Sequence, residues 1–498
     1  MNQFIRKNKE YLYCILVSFC ILLFTSKNSF LYPINDWMDA NAFFTVGKGI
    51  FRGVIPYKDV FEQKGLILYF IYGIGSLLCY KSFHGVFIIE VVSFSIYLWY
   101  SYKVIDLLGS KRSSFIILPI LSFFICTSRY FVHGGSAEEF CLPYLGVSLY
   151  YFVRHFKEKM LSHKELFLNG CMAGIVFMIK YSITGFWIGF IFMICLYSLL
   201  SKNIKKAIID GLWFILGMLI PIVICCSYLF INGGLKDFIE QYFIVNMTAY
   251  EEEYISIVQK FIRIFGGSYA SLYHNGWFVL IIMLGSLGSI MLLKNTKMYL
   301  KISLLVCILF SIIGLYWGLK FFYYYGLPLV IFGIFIFIFL LSYLDKYFIS
   351  RRRYFIYFIV FILSVVLSYF HANYKEQILS KKEDYFQFKY AEYMDKDATL
   401  LNMGYLDAGL YTVSGILPNT KFFEVQNISY DKYPDNLDDM EYNVKNKNIK
   451  YILFFTKRDI SYVEKNYSYI YDSYDLVFDD KQEVEHEIYH AYLYELKS

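Results

Sequence analysis

The stretch DWMDANAFFTVGKGIFRGVIPYKDVFEQKGLILYFIYGIGSLLCY, residues 36–80, decides how the chain is threaded. Its first part, up to Lys64, follows directly on an apolar run. It carries four carboxylates (Asp36, Asp39, Asp59 and Glu62) among basic and aromatic residues. A membrane protein rarely keeps so long and charged a segment between its first two apolar runs unless the segment does chemistry. The second part, Gly65 to Tyr80, is apolar but only sixteen residues long, whereas a spanning helix needs about 20. Reading it as a span would put Lys111, Arg112 and Arg351 to Arg353 outside and the acidic 134–140 loop inside, against the bias of Lys and Arg toward cytoplasmic loops. It is therefore expected to be an interfacial or re-entrant helix on the outer face.

The rest of the chain supports this frame. Of 498 residues, 58% are hydrophobic and 21% aromatic, and the mean hydropathy is +0.46. That composition excludes an ordinary soluble domain. Apolar runs recur from Tyr11 to Phe370. Basic clusters separate them at Lys103/Lys111/Arg112, Arg154/Lys157/Lys159/Lys164, Lys202/Lys205/Lys206, Lys294/Lys297/Lys301 and Lys346/Arg351/Arg352/Arg353. With these clusters and the N-terminus in the cytoplasm, the external connections are 32–83, 131–140, 180–181, 231–276 and a turn near Lys320. This predicts a polytopic α-helical membrane protein of about eleven spans. The first apolar run follows Arg6, Lys7 and Lys9 without a small-residue cleavage site, so it reads as a retained helix.

Beyond Phe370 the composition turns polar. Residues 371–498 hold short apolar runs (TLLNMGYL, KFFEV, YILFF, YDLVF) between helical-looking stretches at 375–394, 435–448 and 459–468. The expectation is a small extracellular α/β domain after a membrane domain of residues 1–370. The His486-Glu487-Ile488-Tyr489-His490 match to a zinc-protease pattern reads as part of a terminal strand, where two histidines four residues apart stand too far apart to chelate jointly.

Asp39 opens a stretch with Phe43, Val46, Ile50 and Val54 on one helical face, ended by Gly53 and Pro56. Asp39 is either the cap of that helix or, with Asp36 as the cap, a carboxylate one turn in and facing a cavity. In RYFVHGGSAEEF, residues 129–140, Glu138 and Glu139 sit at a membrane boundary, with Arg129 and His133 as cationic or polar partners in the same turn. Lys180, between two apolar runs at an external turn, either snorkels to the interface or neutralises a lipid phosphate. Lys320 is a weaker candidate of the same kind. Glu90, inside a span, lines a cavity or bonds a neighbouring helix.

Together these residues resemble the GT-C superfamily of polytopic glycosyltransferases that use polyprenyl-phosphate-linked sugars, among them protein O-mannosyltransferases and lipid A aminoarabinose transferases. The resemblance rests on Asp39 followed by GKGIFRGVIPYKDVFEQKG, on the acidic second loop, and on the juxtamembrane helix after Lys64. The segment LNMGYLDAGLYTVSGILPNTKFFEVQN is similar to the soluble end of members from Gram-positive cell-envelope polysaccharide clusters. The resemblance implies transfer of a sugar from a polyprenyl-phosphate donor to a cell-envelope glycan or related acceptor, with inversion, at the outer face of the plasma membrane. It implies Asp39 as base, Glu138 or Glu139 as the second acid, and Asp36, Lys64, Arg129, Lys180 and Lys320 as substrate contacts. Membrane lipids are partners, nucleic acid is not, and a divalent cation is an option. A polysaccharide polymerase or ligase, or a flippase for a lipid-linked glycan, is the alternative.

Overall fold

The computed structural model describes residues 2–109, 111–249, 256–344, 353–484 and 487–497. Lys346, Arg351, Arg352, His486 and residues 250–255 of the expected 231–276 loop lie outside the described residues. The chain divides into two compact units, each assembled from three segments. One comprises Met1–Ser26, Ile89–Cys225 and Glu252–Lys375, and the other Lys27–Ile88, Cys226–Glu251 and Glu376–Ser498.

The first, here the membrane unit, is helical. Across the chain's described residues, seven helices are long and apolar enough to cross a membrane, from Asn8–Thr25 to Arg353–Phe370. Ser114–Cys126 and Val279–Leu292 are apolar but shorter, and Ala137–Lys157 and His163–Phe177 are helical as well. Seven of the roughly eleven expected spans are thus helices of spanning length, and the chain is a multi-pass membrane protein. Local chemistry sets the helix starts. Ser162 closes a reciprocal capping box with Glu165, and Ser136 Oγ accepts from the Glu139 N–H at 3.0 Å. The expected 231–276 loop is not loop throughout. It contains an 18-residue helix, Ile257–His274, whose face bearing Ile257, Val258, Ile262, Phe265 and Tyr269 is exposed.

The second, the loop–sheet unit, joins residues 27–88 and 226–251 to the polar C-terminal region. Helix Met38–Ile50 packs on helix Leu66–Leu78, with the Phe43 ring 5.6 Å from that of Tyr72. The thirteen residues of Leu66–Leu78 rise only about 20 Å, short of the roughly 30 Å hydrocarbon layer, as do those of Ser114–Cys126. Four strands, β1 (Leu400–Met403), β2 (Tyr451–Thr456), β3 (Tyr474–Val484) and β4 (Glu487–Leu496), form one sheet in the order β1-β2-β4-β3. β1 runs parallel to β2, reached through helix Asp435–Lys445, and β4 pairs antiparallel with both β2 and β3. His490 therefore lies in a strand, as expected, with Nδ1 2.9 Å from Tyr492 Oη.

The core under the sheet collects Leu401, Met403, Ile452, Phe454, Tyr492 and Tyr494 with Met440, Val444, Val463 and Ile470. Phe61, from the 27–88 segment, is buried in the same core, its ring tilted against that of Phe422 with centres 5.1 Å apart. Two expectations need correction. KFFEV forms no strand: its backbone makes isolated bonds, Asn402 N–H to Phe423 O at 3.0 Å and Phe61 N–H to Lys421 O at 2.7 Å. The expected 375–394 helix breaks into Lys375–Gln377, Lys382–Asp384 and Phe386–Tyr393.

Candidate functional site

In the loop–sheet unit the site is built on helix Met38–Ile50. Its cap is Trp37, whose side chain makes no capping bond, so neither Asp39 nor Asp36 is the cap. Asn41 fixes the helix start, its Nδ2 donating to Asn35 O at 2.8 Å and Trp37 O at 3.0 Å. Asp39 stands half-buried in the first turn, where the helix dipole favours a carboxylate. Asp36 is paired with Lys27, and both are almost fully buried. Lys27 also donates to Gln377 Oε1. Val54 lies beyond the helix end.

Three more carboxyls belong to this group. Glu62 accepts from Tyr69 Oη and from the Gln63 N–H at 2.7 Å. Lys64 holds its ammonium 5.5 Å from the Phe43 ring centre and partly offsets the burial of Glu62. Glu424 accepts from the Asp407 N–H at 2.5 Å and from Gln426 Nε2 at 3.1 Å. Asp407 accepts from Thr45 Oγ1 at 2.7 Å and from the Gly409 N–H at 2.8 Å. Burial raises the Glu62 carboxyl, the Glu424 carboxyl strongly, and Asp407 to about 6. The charge of Asp39 adds to the rise at Glu62 and Glu424. Fully buried Lys48 donates to Tyr411 O, and burial lowers its ammonium to about 7.

Sequence reasoning missed Lys48, Asp407 and Glu424 and counted Glu62 only as one acid among four. The signal was present in GYLDAGLY: a polar Asp between turn-forming glycines inside an otherwise apolar run.

In the membrane unit the Gly134–Gly135 turn leads into helix Ala137–Lys157. Gly134 has φ +82°, and a Cβ there would collide with Ser26 Oγ and the Glu90 carboxyl. The two adjacent acids part company. Glu138 is paired with Lys180, whose Nζ lies 3.3 Å from the Tyr325 ring centre. Glu139 turns to the Gly135 N–H at 2.7 Å and neighbours Glu90, which accepts from Ser26 Oγ at 2.9 Å. Glu90 thus bonds across helices. The expected partners differ from those found: His133 stacks on Tyr374 at 4.5 Å, and Arg129 is exposed in the same turn. Lys320 is half-buried in the connection after helix Met298–Tyr316. Among the described residues, no three His, Cys, Asp or Glu side chains are grouped as a metal site.

Against known proteins, the crystal structure of ArnT from Cupriavidus metallidurans in the apo state matches with a TM-score of 0.56 at 9% identity, over 96% of this chain and 96% of ArnT. The ArnT structure bound to undecaprenyl phosphate matches with a TM-score of 0.60 at 10% identity, over 97% of each chain. At such identities the likeness is one of fold, and it bears out the GT-C-like architecture implied by the first-loop resemblance. No curated protein matches the sequence. The model of the family described as the putative competence-induced protein Ccs4 N-terminal domain matches residues 2–388, and the chain belongs to that family.

Proposed function

We propose that the chain is a membrane glycosyltransferase that moves a sugar from a polyprenyl-phosphate donor onto a cell-envelope glycan or related acceptor at the outer face of the membrane. The observation that carries this reading is Asp39: a half-buried carboxylate in the first turn of the first-loop helix, released from capping and set among deeply buried acids. The ArnT fold supports it, because ArnT has been crystallised with undecaprenyl phosphate.

The acceptor hydroxyl oxygen bonds to the anomeric carbon while the bond from that carbon to the phosphate oxygen breaks, inverting the centre. The hydroxyl proton passes to Asp39, and the electron pair leaves with the polyprenyl phosphate. General-base help of this kind contributes about 10²–10⁴-fold. Burial raises the Glu62 and Glu424 carboxyls, whereas Asp39 beside them is only half-buried. In the membrane unit, Lys180 offers the phosphate a cation that Glu138 holds in place, with Arg129 and Lys320 as further positive charges. Glu139 holds the turn that carries Glu138, Lys64 steadies Glu62, and Asp36 holds Lys27.

The test is sugar transfer in membranes containing Asp39→Asn, which keeps size and fold. The expected loss is at least about 10²-fold at normal protein abundance. Near-wild-type transfer would remove Asp39 as the base. A product lengthened by one sugar supports the reading, whereas a joined polymer would replace it with a polymerase.

A further inference from the structure

The helix that carries Asp39 has a second polar face. At about 100° per residue, Asn41, Thr45 and Lys48 form a stripe on the side opposite Asp39 and Phe43. Each member of the stripe is fully buried, and each is bonded by one short segment of the C-terminal region. Thr45 Oγ1 donates to Asp407 Oδ2 at 2.7 Å, Thr412 Oγ1 donates to Asn41 Oδ1 at 2.8 Å, and Lys48 Nζ donates to Tyr411 O.

That segment is itself held rigidly. Asn402, in β1, donates to Tyr405 O at 2.8 Å and to Leu406 O at 3.0 Å, and accepts from the Ala408 N–H at 3.1 Å. Glu424 takes the Asp407 N–H, and Gln387 Nε2 donates to Ala408 O at 2.8 Å. Gly409 adopts φ +89°, and a Cβ there would stand 3.0 Å from Asn41 Oδ1. Asn41 in turn bonds the carbonyls of Asn35 and Trp37, so the clasp reaches the turn from which Asp39 projects.

We infer that Asp407 and Thr412, with Thr45, Asn41 and Lys48 as their counterparts, are positioning residues for sugar transfer: the C-terminal region sets where Asp39 stands. The inference rests on the reading of Asp39 as base. Residues 407–412 lie beyond the part matched by the family model, and their bonds go to the helix that carries Asp39. A misplacement of about 1 Å at a reacting group costs about 10²-fold, and loosening this clasp acts through that route.

The test is the full chain carrying Thr45→Val with Thr412→Val, which keeps shape and removes both hydroxyl donors, beside Thr45→Ser with Thr412→Ser. Transfer is measured from an undecaprenyl-phosphate-sugar extract of the producing cells, per folded molecule recovered from a sizing column. The valine pair is expected to lose about 10- to 100-fold in maximal rate with an unchanged half-saturating extract concentration. The serine pair should retain most of the rate. Deuterium exchange should rise in residues 36–50 of the valine pair, while β1 and β2 stay protected.

A purely structural clasp gives a different result, with fewer folded molecules and a wild-type rate from each. That result overturns the inference. It is separable from failure of the base reading, because it would appear beside an inactive Asp39→Asn. Wild-type transfer by Asp39→Asn would remove what the clasp positions.

Discussion

The two groups of acids handle the same difficulty, a carboxyl away from water, in opposite ways. In the membrane unit Glu138 is matched one to one by the side chain of Lys180. In the loop–sheet unit Glu62, Asp407 and Glu424 are satisfied mainly by hydroxyl and backbone donors, and burial raises all three carboxyls. A paired charge is an electrostatic fixture. An acid bonded to backbone and hydroxyl donors is a geometric fixture that holds a backbone. The contrast teaches that acids adjacent in the sequence can serve different ends. Glu138 faces a cation, while Glu139 braces a turn.

The sharpest way to break this comparison is Lys180→Met. It leaves Glu138 buried without its cation, which costs about 3–5 kcal/mol in an internal pair, and transfer should fall beyond detection. Adding Glu138→Gln should recover thermal stability in detergent without recovering transfer, because the phosphate contact is still missing. Recovery of both would reduce the pair to a structural bond.

Lys27→Met should be destabilising by a similar amount, since Asp36 is 3% exposed and loses its partner. Here the double variant with Asp36→Asn should recover melting temperature and transfer together, which marks Lys27–Asp36 as a holding pair. Stability without transfer would return Asp36 to the reaction.

Gly409→Ala places a side chain at φ +89° and against Asn41. It should cost about 1–3 kcal/mol, read as a lower melting temperature.

The smallest effect is in pH. Asp407 binds its proton more tightly folded (about 6) than its ordinary 3.8, so its contribution to stability falls as pH rises from about 4 through 6. Lys48 binds its proton less tightly folded (about 7) than its ordinary 10.5, so its contribution rises from about pH 7 toward 10. Melting temperature should therefore dip between about pH 6 and 7. Asp407→Asn should make the falling limb shallower, with Glu62 and Glu424 supplying the remainder, and Lys48→Met should remove the rising limb. A limb unchanged in its variant would mean that the group does not titrate in the clasp.

The membrane helices, the short apolar helix after Lys64 and strands β1, β2 and β4 were legible, because period and run length follow directly from what lipid or a sheet requires. The position of Lys180 was legible as well, as a cation at a turn. Its partner was not: Glu138 lies 42 residues away, and the sequence offered that glutamate the nearer Arg129 and His133 instead. KFFEV failed because a short apolar run reads alike as a strand and as an irregular buried segment, and what pins it is Glu424 reaching the Asp407 backbone. Lys48 failed for a related reason. An exposed-looking lysine among glycines gives no hint that a distant carbonyl, Tyr411 O, buries it.

Thr45 and Asp407 are 362 residues apart in the chain. At about 5–20 residues per second, the ribosome makes the clasp on the order of half a minute after the helix it holds. Until then Thr45 and Lys48 lack Asp407 and Tyr411, the partners they bond in the finished fold. The bonds to Asp407 and Tyr411 therefore close the fold of this helix only once translation has reached the C-terminal region.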